Sequence, residues 1–239
     1  MLEAHGVAFA YGSVPVLSGV DLRVDAGTVV ALVGTNGAGK STLLDLLAGL
    51  IRPSAGAITL DGHDVGDVDA SGMVERGVVL VQGGRAIFPE LSALDNLQVG
   101  IATRRVGTQR ARRRAMEILE RFPALRHLGD RRAGTLSGGE QQQLALAKGL
   151  VLEPRVLLID ELTLGLAPET AVEVVSVVRE LHAAGTTILL VEQDLDVAMT
   201  IADRAVFLEK GSVAFDGTPH DLLARDDLLR SVFLGVTSA

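Results

Sequence analysis

A glycine-rich octapeptide between an apolar run and a leucine-rich stretch constrains this chain more than any other feature. It spans residues 34–41, reads Gly-Thr-Asn-Gly-Ala-Gly-Lys-Ser, follows the apolar run 29–33 and precedes the amphipathic stretch 42–50. Glycines let successive backbone N–H groups point at phosphate oxygens, and a following helix adds the positive end of its dipole. A glycine-rich turn before a helix is the plain alternative, but the complete G-x-x-x-x-G-K-S spacing predicts a P-loop nucleotide site.

Side-chain chemistry assigns roles within this loop. Lys40 is a mobile cation for the β- and γ-phosphates of a nucleoside triphosphate, so we assign it to catalysis as well as binding. The hydroxyl of Ser41 is a suitable Mg²⁺ ligand. The predicted nucleotide-contacting residues of this segment are Gly34, Asn36, Gly37, Ala38, Gly39, Lys40, Ser41 and Thr42.

Two adjacent carboxylates follow a second apolar run. Residues 156–159 are continuously apolar, which is typical of a buried parallel strand, and Asp160 and Glu161 come directly after them. Ligands of open α/β sheets bind at the carboxyl ends of such strands. We therefore predict that Asp160 reaches the Mg²⁺ shell and that Glu161 orients and deprotonates the attacking water. The alternative, a merely polar strand end, is disfavoured by the P-loop upstream.

A third motif precedes this strand by one short helix. Ser137 and Glu140 flank Gly138 and Gly139 at the spacing of a capping box, which predicts a helix over 141–151. A capped helix start that follows paired glycines is also an anion site, so the structural and functional interpretations do not compete.

Together these motifs resemble the ATPase subunits of the ATP-binding cassette family, over roughly residues 2–235. The resemblance implies an α/β P-loop NTPase fold with a mostly parallel core sheet, an N-terminal antiparallel β region and a helical subdomain. It also implies a single domain over residues 1–239, with a nucleotide-binding core at 1–87 and 136–239 and the helical subdomain at 88–135. ATP and Mg²⁺ are the implied cofactors.

Further site residues follow from the same resemblance. Tyr11 matches the aromatic residue that stacks on adenine, although an ordinary strand tyrosine is the alternative. Family members work as head-to-tail dimers, so Ser137, Gly138 and Gly139 would contact the γ-phosphate held by a partner cassette.

Several positions depart from the family pattern. The glutamine that usually touches Mg²⁺ falls at Gly83, with Gln82 one residue early. Either Gln82 substitutes through a local backbone shift, which makes it a candidate cofactor-binding residue, or the contact is lost or rearranged. We favour the second, because a shift by one residue turns the side chain away on an extended backbone. Gln193 replaces the usual switch histidine; it can hydrogen-bond the γ-phosphate or the water but cannot titrate. The other two departures are Leu162 for proline and Ala167 for aspartate.

Part of this pattern resembles one branch of the family, the LivF-like second ATPase of branched-chain amino-acid importers, with relatives in urea and amide uptake. The resemblance rests on segments 84–89, 165–168, 191–193 and 230–235. It implies a peripheral subunit on the cytoplasmic face of the inner membrane that energises uptake through integral-membrane permeases. Its further partners would be a second cassette, identical or a sister subunit, and indirectly a solute-binding protein.

Composition limits the alternatives. Hydrophobic residues make up 48% of 239 residues, no apolar run is long enough to cross a bilayer, and the start does not read as a secretory leader. The absence of cysteine fits the cytosol, and the net charge of -8 argues against general nucleic-acid binding. Arginines at 104–105, 110 and 112–114 are interpreted as a solvated helix face, with contact to nucleic acid or anionic lipid as alternatives.

Two other function classes stay open at this point. One is a soluble cassette ATPase that acts on nucleic acid or ribosomes, which a single P-loop and the lack of sustained heptads disfavour. The other is a slow, regulatory nucleotide-binding subunit, which the departures at Gly83, Leu162 and Ala167 would fit.

Overall fold

The computed structural model describes residues 1–83, 86–102, 107–225 and 227–228. Motif residues at 84–85 and 230–235 and the arginines at 104–105 lie outside this part of the chain. The strands are β1 Leu2–Tyr11, β2 Val14–Val24, β3 Val29–Gly34, β4 Ala55–Leu60, β5 His63–Asp64, β6 Val78–Gln82, β7 Val156–Asp160, β8 Thr187–Val191, β9 Arg204–Glu209 and β10 Ser212–Gly217. The helices are α1 Lys40–Leu47, α2 Ala70–Glu75, α3 Ala93–Ala102, α4 Thr108–Glu120, α5 Gly138–Leu150, α6 Pro168–Ala183, α7 Leu195–Ile201 and α8 Pro219–Leu223, with a 3-10 turn at Ala133–Thr135.

The larger sheet has the order β10-β9-β3-β8-β7-β6. All of its neighbouring pairs are parallel except β9 with β10. Strands β3 and β8 are buried along their whole length, because both faces of a parallel sheet are covered by other elements. The predicted α/β fold with a mostly parallel core sheet is confirmed, and the carboxyl ends of β3, β8, β7 and β6 meet at one edge.

The smaller sheet is antiparallel, in the order β2-β1-β4-β5, as predicted for the N-terminal region. The residue pattern alone predicts only short strands here, around residues 7–9 and 20–24, whereas β1 and β2 are 10 and 11 residues long. Their register shifts between Ala4 and Val7 and again around Phe9. Such bulges break the alternation of apolar and polar residues, which is why the pattern shows only fragments of each strand.

Apolar clusters cover both faces of the larger sheet, and two of them share strand β7. On one face, β-strand residues such as Leu157 and Ile159 pack with apolar residues of α3, α4, α5 and α6. On the other, Leu158 and Leu189 pack with α1 and the antiparallel sheet. Because neighbouring residues of a strand point to opposite faces, the continuous apolar run at 156–159 serves both clusters. The helices over residues 93–120 are therefore anchored on the same core that holds the sheet edge.

Two helices test detailed sequence predictions. The apolar spacing predicts a helix over 109–121 in which Ala115, Ile118 and Leu119 pack inward; α4 buries all three, and its arginines at 110, 112 and 113 are exposed. The spacing of Val172, Val175, Val178 and Leu181 predicts that they share one face of the helix after Pro168. This prediction is wrong at Val172, which is 69% exposed while Val178 and Leu181 are buried. Apolar residues spaced by three drift about 60° around a helix at each step. A stripe of four such residues therefore leaves the buried face at one end.

Candidate functional site

The loop between β3 and α1 has a backbone that requires glycine. A Cβ atom on Gly34 would lie 2.0 Å from the carbonyl oxygen of Leu208, and one on Gly39 would lie 2.6 Å from Cδ2 of Leu17. Gly39 has a φ of 102° and is the N-cap of α1, and no side chain of the described residues caps this helix start. The first N–H groups of a helix have no partner within the helix, so this start is arranged for an anion.

Lys40 is folded back beneath this loop. Its ammonium donates hydrogen bonds to the carbonyl oxygens of Gly34 at 2.9 Å and Thr35 at 3.0 Å, and the residue is only 6% exposed. Burial lowers the pKa of Lys40, while the negative charges of Glu161 and Asp160 act in the opposite direction. The cation therefore lies between the phosphate loop and the two predicted catalytic carboxylates.

The rest of the predicted loop set surrounds this cation. Asn36, Gly37 and Ser41 are exposed, Thr42 is partly exposed, and Ala38 is buried. The amide of Ala38 donates to Thr35 at 3.1 Å, which closes the turn that leads into α1. Ser41, which the sequence predicts to be a metal ligand, is thus exposed at the start of α1.

Asp160 is the last residue of β7, at the sheet edge where the carboxyl ends of β3, β8, β7 and β6 meet. It pairs in register with Gln82 of β6 and Val191 of β8. Its Oδ1 is buried without a hydrogen-bond partner among the described residues, while the carboxylate also interacts with the Ser41 hydroxyl. Burial raises the pKa of Asp160, and the hydrogen bond from Ser41 lowers it in part. An unpartnered carboxylate oxygen beside a serine hydroxyl is a donor set that suits a hard cation such as Mg²⁺.

Glu161 adopts a backbone conformation that is unusual for its residue type. Its φ is 50°, and its amide donates to the carbonyl oxygen of Val191 at 2.9 Å. The left-handed region costs a non-glycine residue about 1–3 kcal/mol, and such residues concentrate at functional sites. Oε1 of Glu161 accepts a hydrogen bond of 2.6 Å from Nε2 of Gln193. The predicted base and the residue at the switch position are therefore in direct contact.

The segment after β6 packs tightly on the backbone of Asp160 and Glu161. The amide of Gly83 donates to the backbone carbonyl oxygen of Asp160 at 2.9 Å, and a Cβ atom on Gly83 would lie 2.4 Å from the carbonyl oxygen of Glu161. Glycine at the position of the family's glutamine thus permits a close approach that a larger residue would prevent. Gln82 ends β6, is partly buried and lies in register with Asp160, and its contact with nucleotide stays a prediction.

The Ser137 segment forms the predicted capping box. Oγ of Ser137 accepts from the amide of Glu140 at 3.3 Å, and Glu140 accepts from the amide of Ser137 at 2.7 Å. Ser137 and Gly138 are exposed, whereas Gly139 is buried, with Thr170 where its Cβ atom would be. Helix α5 begins at Gly138, three residues before the predicted start at 141.

Tyr11 lies at the end of β1, on the antiparallel sheet. It is 54% exposed and makes an edge contact with Phe9, with ring centroids 4.9 Å apart. No hydrogen bond among the described residues joins Tyr11 or Ser137 to the P-loop and carboxylate group. The fold thus brings together the P-loop, Asp160, Glu161, Gln193 and Gln82, and leaves Tyr11 and the Ser137 segment separate.

One buried acid at this edge was not predicted. Glu192 is 2% exposed, and burial raises its pKa to about 7. Its two carboxylate oxygens accept hydrogen bonds from the amide and the hydroxyl of Thr163, each at 3.0 Å. The available signal was a glutamate directly after a wholly apolar strand, a position where a charge is costly unless it is hydrogen-bonded.

Comparison with known proteins agrees with this site. The profile of the family described as ABC transporter matches residues 17–164. The high-affinity branched-chain amino acid transport ATP-binding protein BraG of Pseudomonas aeruginosa is 36% identical over 98% of this chain and 100% of its own length. The chain belongs to the ABC transporter family and is an ABC-type ATPase that binds ATP.

Solved structures agree with the fold. A nucleotide-free ATP-binding cassette from an ABC transporter superposes with a TM-score of 0.90 at 25% identity, covering 99% of each chain. A dimeric cassette in a post-hydrolysis state, bound to ADP and phosphate, superposes with a TM-score of 0.80 at 26% identity, covering 92% of this chain and 99% of its own.

Proposed function

We propose that this chain is the ATP-hydrolysing subunit of an importer for branched-chain or related amino acids. The substrate class is supported by the likeness to BraG over the whole chain. The observation that carries the hydrolytic role is the hydrogen bond of 2.6 Å between Gln193 and Glu161, at the sheet edge where the P-loop leads into the uncapped start of α1. This arrangement supports a base role for Glu161, because the Gln193 amide and the open start of α1 lie at the same edge of the sheet.

The P-loop binds the triphosphate through its backbone. Amides at the start of α1 contact the phosphates, and Lys40 moves from the carbonyl oxygens of Gly34 and Thr35 to the β- and γ-phosphates. Ser41 and Asp160 hold Mg²⁺, since Asp160 offers a buried oxygen that has no partner among the described residues. Bound Mg²⁺ neutralises charge on the phosphate oxygens and orients the nucleotide.

Glu161 then acts on the water. Its carboxylate orients the water and accepts a proton as the water oxygen attacks the γ-phosphorus, and ADP leaves. Gln193 fixes the Glu161 side chain through its amide N–H and hydrogen-bonds the γ-phosphate or the water. The strained φ of Glu161 is kept because its amide is tied to β8, so the base is positioned before nucleotide arrives.

A second cassette completes the site. Ser137, Gly138 and Gly139 contact the γ-phosphate bound by a partner in a head-to-tail dimer, and Tyr11 stacks on the adenine. This proposal is supported by the exposure of Ser137 and Gly138 and by the likeness to a dimeric cassette. One cassette alone then binds ATP and hydrolyses it poorly.

The remaining partners are membrane proteins. Within the described residues no helix is long and apolar enough to cross a bilayer. We place the chain on the cytoplasmic face of the inner membrane, docked on permease subunits through the helical subdomain at 88–135. A solute-binding protein acts with the permeases and does not touch this chain.

The test is affinity purification of the Glu161→Gln variant, with ATP, from gently solubilised cells of the native host. We expect two permeases, a second cassette and a solute-binding protein that binds branched-chain amino acids in a ligand screen. Recovery of ribosomes or nucleic acid without any membrane protein would overturn the transport assignment. A binding protein that takes urea or an amide would replace the substrate class alone.

A further inference from the structure

Glu192 is held by one residue of a neighbouring loop. The amide of Thr163 donates to Oε1 and its hydroxyl donates to Oε2, both at 3.0 Å. Both carboxylate oxygens of Glu192 are thus hydrogen-bonded, and the residue is 2% exposed. A two-point contact fixes orientation as well as distance, which a single hydrogen bond does not.

This contact lies next to the predicted chemistry. Thr163 is two residues after Glu161, and Glu192 is directly before Gln193. Gln193 in turn donates to Glu161 at 2.6 Å. The loop after β7 and the loop after β8 are therefore joined both at the outer contact between Gln193 and Glu161 and at the buried contact between Thr163 and Glu192.

The buried contact has a cost that packing alone does not require. Burying a carboxylate disfavours its charged form, and an apolar residue would fill the same position without that cost. The groups that act on its ionisation are the hydrogen bonds from Thr163 and from the amides of Leu162 and Gln193, with no charged side chain among them. We therefore expect the contact between Thr163 and Glu192 to fix the relative position of the loops after β7 and β8.

We propose that Glu192 is a positioning residue that holds Thr163 and so keeps the Gln193 amide on the carboxylate of Glu161. The mechanical reason is that Gln193 follows Glu192 in the chain, so the anchored glutamate sets where the next side chain starts. Releasing Thr163 lets the two loops separate and removes Gln193 from Glu161. This inference rests on the proposed roles of Glu161 and Gln193 in hydrolysis.

The test uses two disruptive variants, each with a conservative control. Thr163→Val keeps the shape and removes the hydroxyl, while Thr163→Ser restores it. Glu192→Leu removes both acceptors, while Glu192→Gln keeps an acceptor for the Thr163 amide and a donor for its hydroxyl. ATPase kcat and KM, ATP affinity and melting temperature are measured for each variant in the assembled ATPase, together with the side-chain amide NMR signal of Gln193.

We expect both disruptive variants to lower kcat about tenfold or more, with KM and ATP affinity within about twofold of the parent. The Gln193 amide signal should move in both. The conservative variants should retain kcat within about threefold and leave the signal in place. Thr163→Val carries the test if Glu192→Leu does not fold.

The positioning role is overturned if folded Thr163→Val keeps the parental kcat, or if its ATP affinity falls in proportion to kcat. It is equally overturned if the conservative variants lose as much activity as the disruptive ones. Glu161→Gln is assayed in parallel and tests the proposed function separately. An inactive Glu161→Gln beside a fully active Thr163→Val would remove only the positioning role.

Discussion

The starts of helices α1 and α5 both include glycine, and they are built in opposite ways. At α1 the N-cap is Gly39, and among the described residues no side chain caps the first amides. At α5 the Ser137 and Glu140 side chains form a complete capping box. One helix start therefore leaves its donors open, and the other satisfies them within the chain.

We propose that the two starts recognise phosphate in different ways. An uncapped start can bind an anion directly through its own amides and dipole. A capped start has a fixed shape: the Ser137 oxygen accepts from the Glu140 amide, and its hydroxyl hydrogen, which has no acceptor among the described residues, can donate. This supports the assignment of α1 to binding within one cassette and of α5 to completing a partner's site.

The largest expected effect is on ATP hydrolysis and comes from Glu161, which belongs to neither helix start. Glu161→Gln keeps the size and the contact with Gln193 but cannot accept a proton. We expect ATP affinity to stay within about twofold of the parent and hydrolysis to fall about 10²–10⁴-fold, the usual contribution of a positioned base. Parental turnover measured by phosphate release would contradict the role of Glu161.

Matched glycine substitutions test the comparison itself. Gly39→Ala meets Leu17 at 2.6 Å and a φ of 102°, whereas Gly138→Ala meets only Leu166 at 3.6 Å. We expect the first to cost about 1–3 kcal/mol of stability and most of the ATP affinity. The second should change stability by less than about 0.5 kcal/mol, measured by urea unfolding. Equal losses in the two variants would remove the distinction.

The pH dependence of the unfolding free energy distinguishes these helix starts from the buried Glu192 directly after β8. The pKa of Glu192 is raised to about 7 in the folded protein. Its charged form is therefore disfavoured on folding, so the parent loses stability as pH rises from the unfolded pKa to about 7. Relative to the parent, Glu192→Gln should gain about 3 kcal/mol above pH 7 and nothing below about pH 4.5. A difference independent of pH in urea unfolding would contradict this account.

Ser137→Ala has a smaller expected effect on stability than Gly39→Ala or Glu192→Gln. It removes the hydroxyl half of the capping box and should cost about 1 kcal/mol. Ser137→Thr keeps a capping hydroxyl and serves as the control. A melting temperature unchanged in Ser137→Ala would show that the box does not hold the start of α5.

The sequence predicts the features that have local causes and misses those that depend on the tertiary fold. The P-loop, the Asp160–Glu161 pair and the capping box depend on short spacings with local physical causes, so they are readable in the chain. The Thr163–Glu192 contact joins residues 29 apart and exists only because β7 and β8 are neighbours in the sheet. Strand order of that kind is a tertiary property that no local pattern contains.

The misplaced Val172 has a similar cause. Which part of a helix is covered depends on how far the sheet and its neighbours extend, and the sequence spacing alone does not specify this. The division into core and helical subdomain and the individual ligand contacts of the site residues stay predictions.

The most direct test measures ATP binding to single cassettes, diluted below the concentration at which they dimerise, for Lys40→Ala and Ser137→Ala side by side. Loss of the Lys40 cation should weaken binding about 10- to 100-fold, the value of one or two charge-assisted hydrogen bonds. Ser137→Ala should bind within about twofold of the parent, because in the proposed dimer Ser137 contacts the nucleotide of the partner cassette. Weak binding by Ser137→Ala, or parental binding by Lys40→Ala, would contradict the division of the site between the two helix starts.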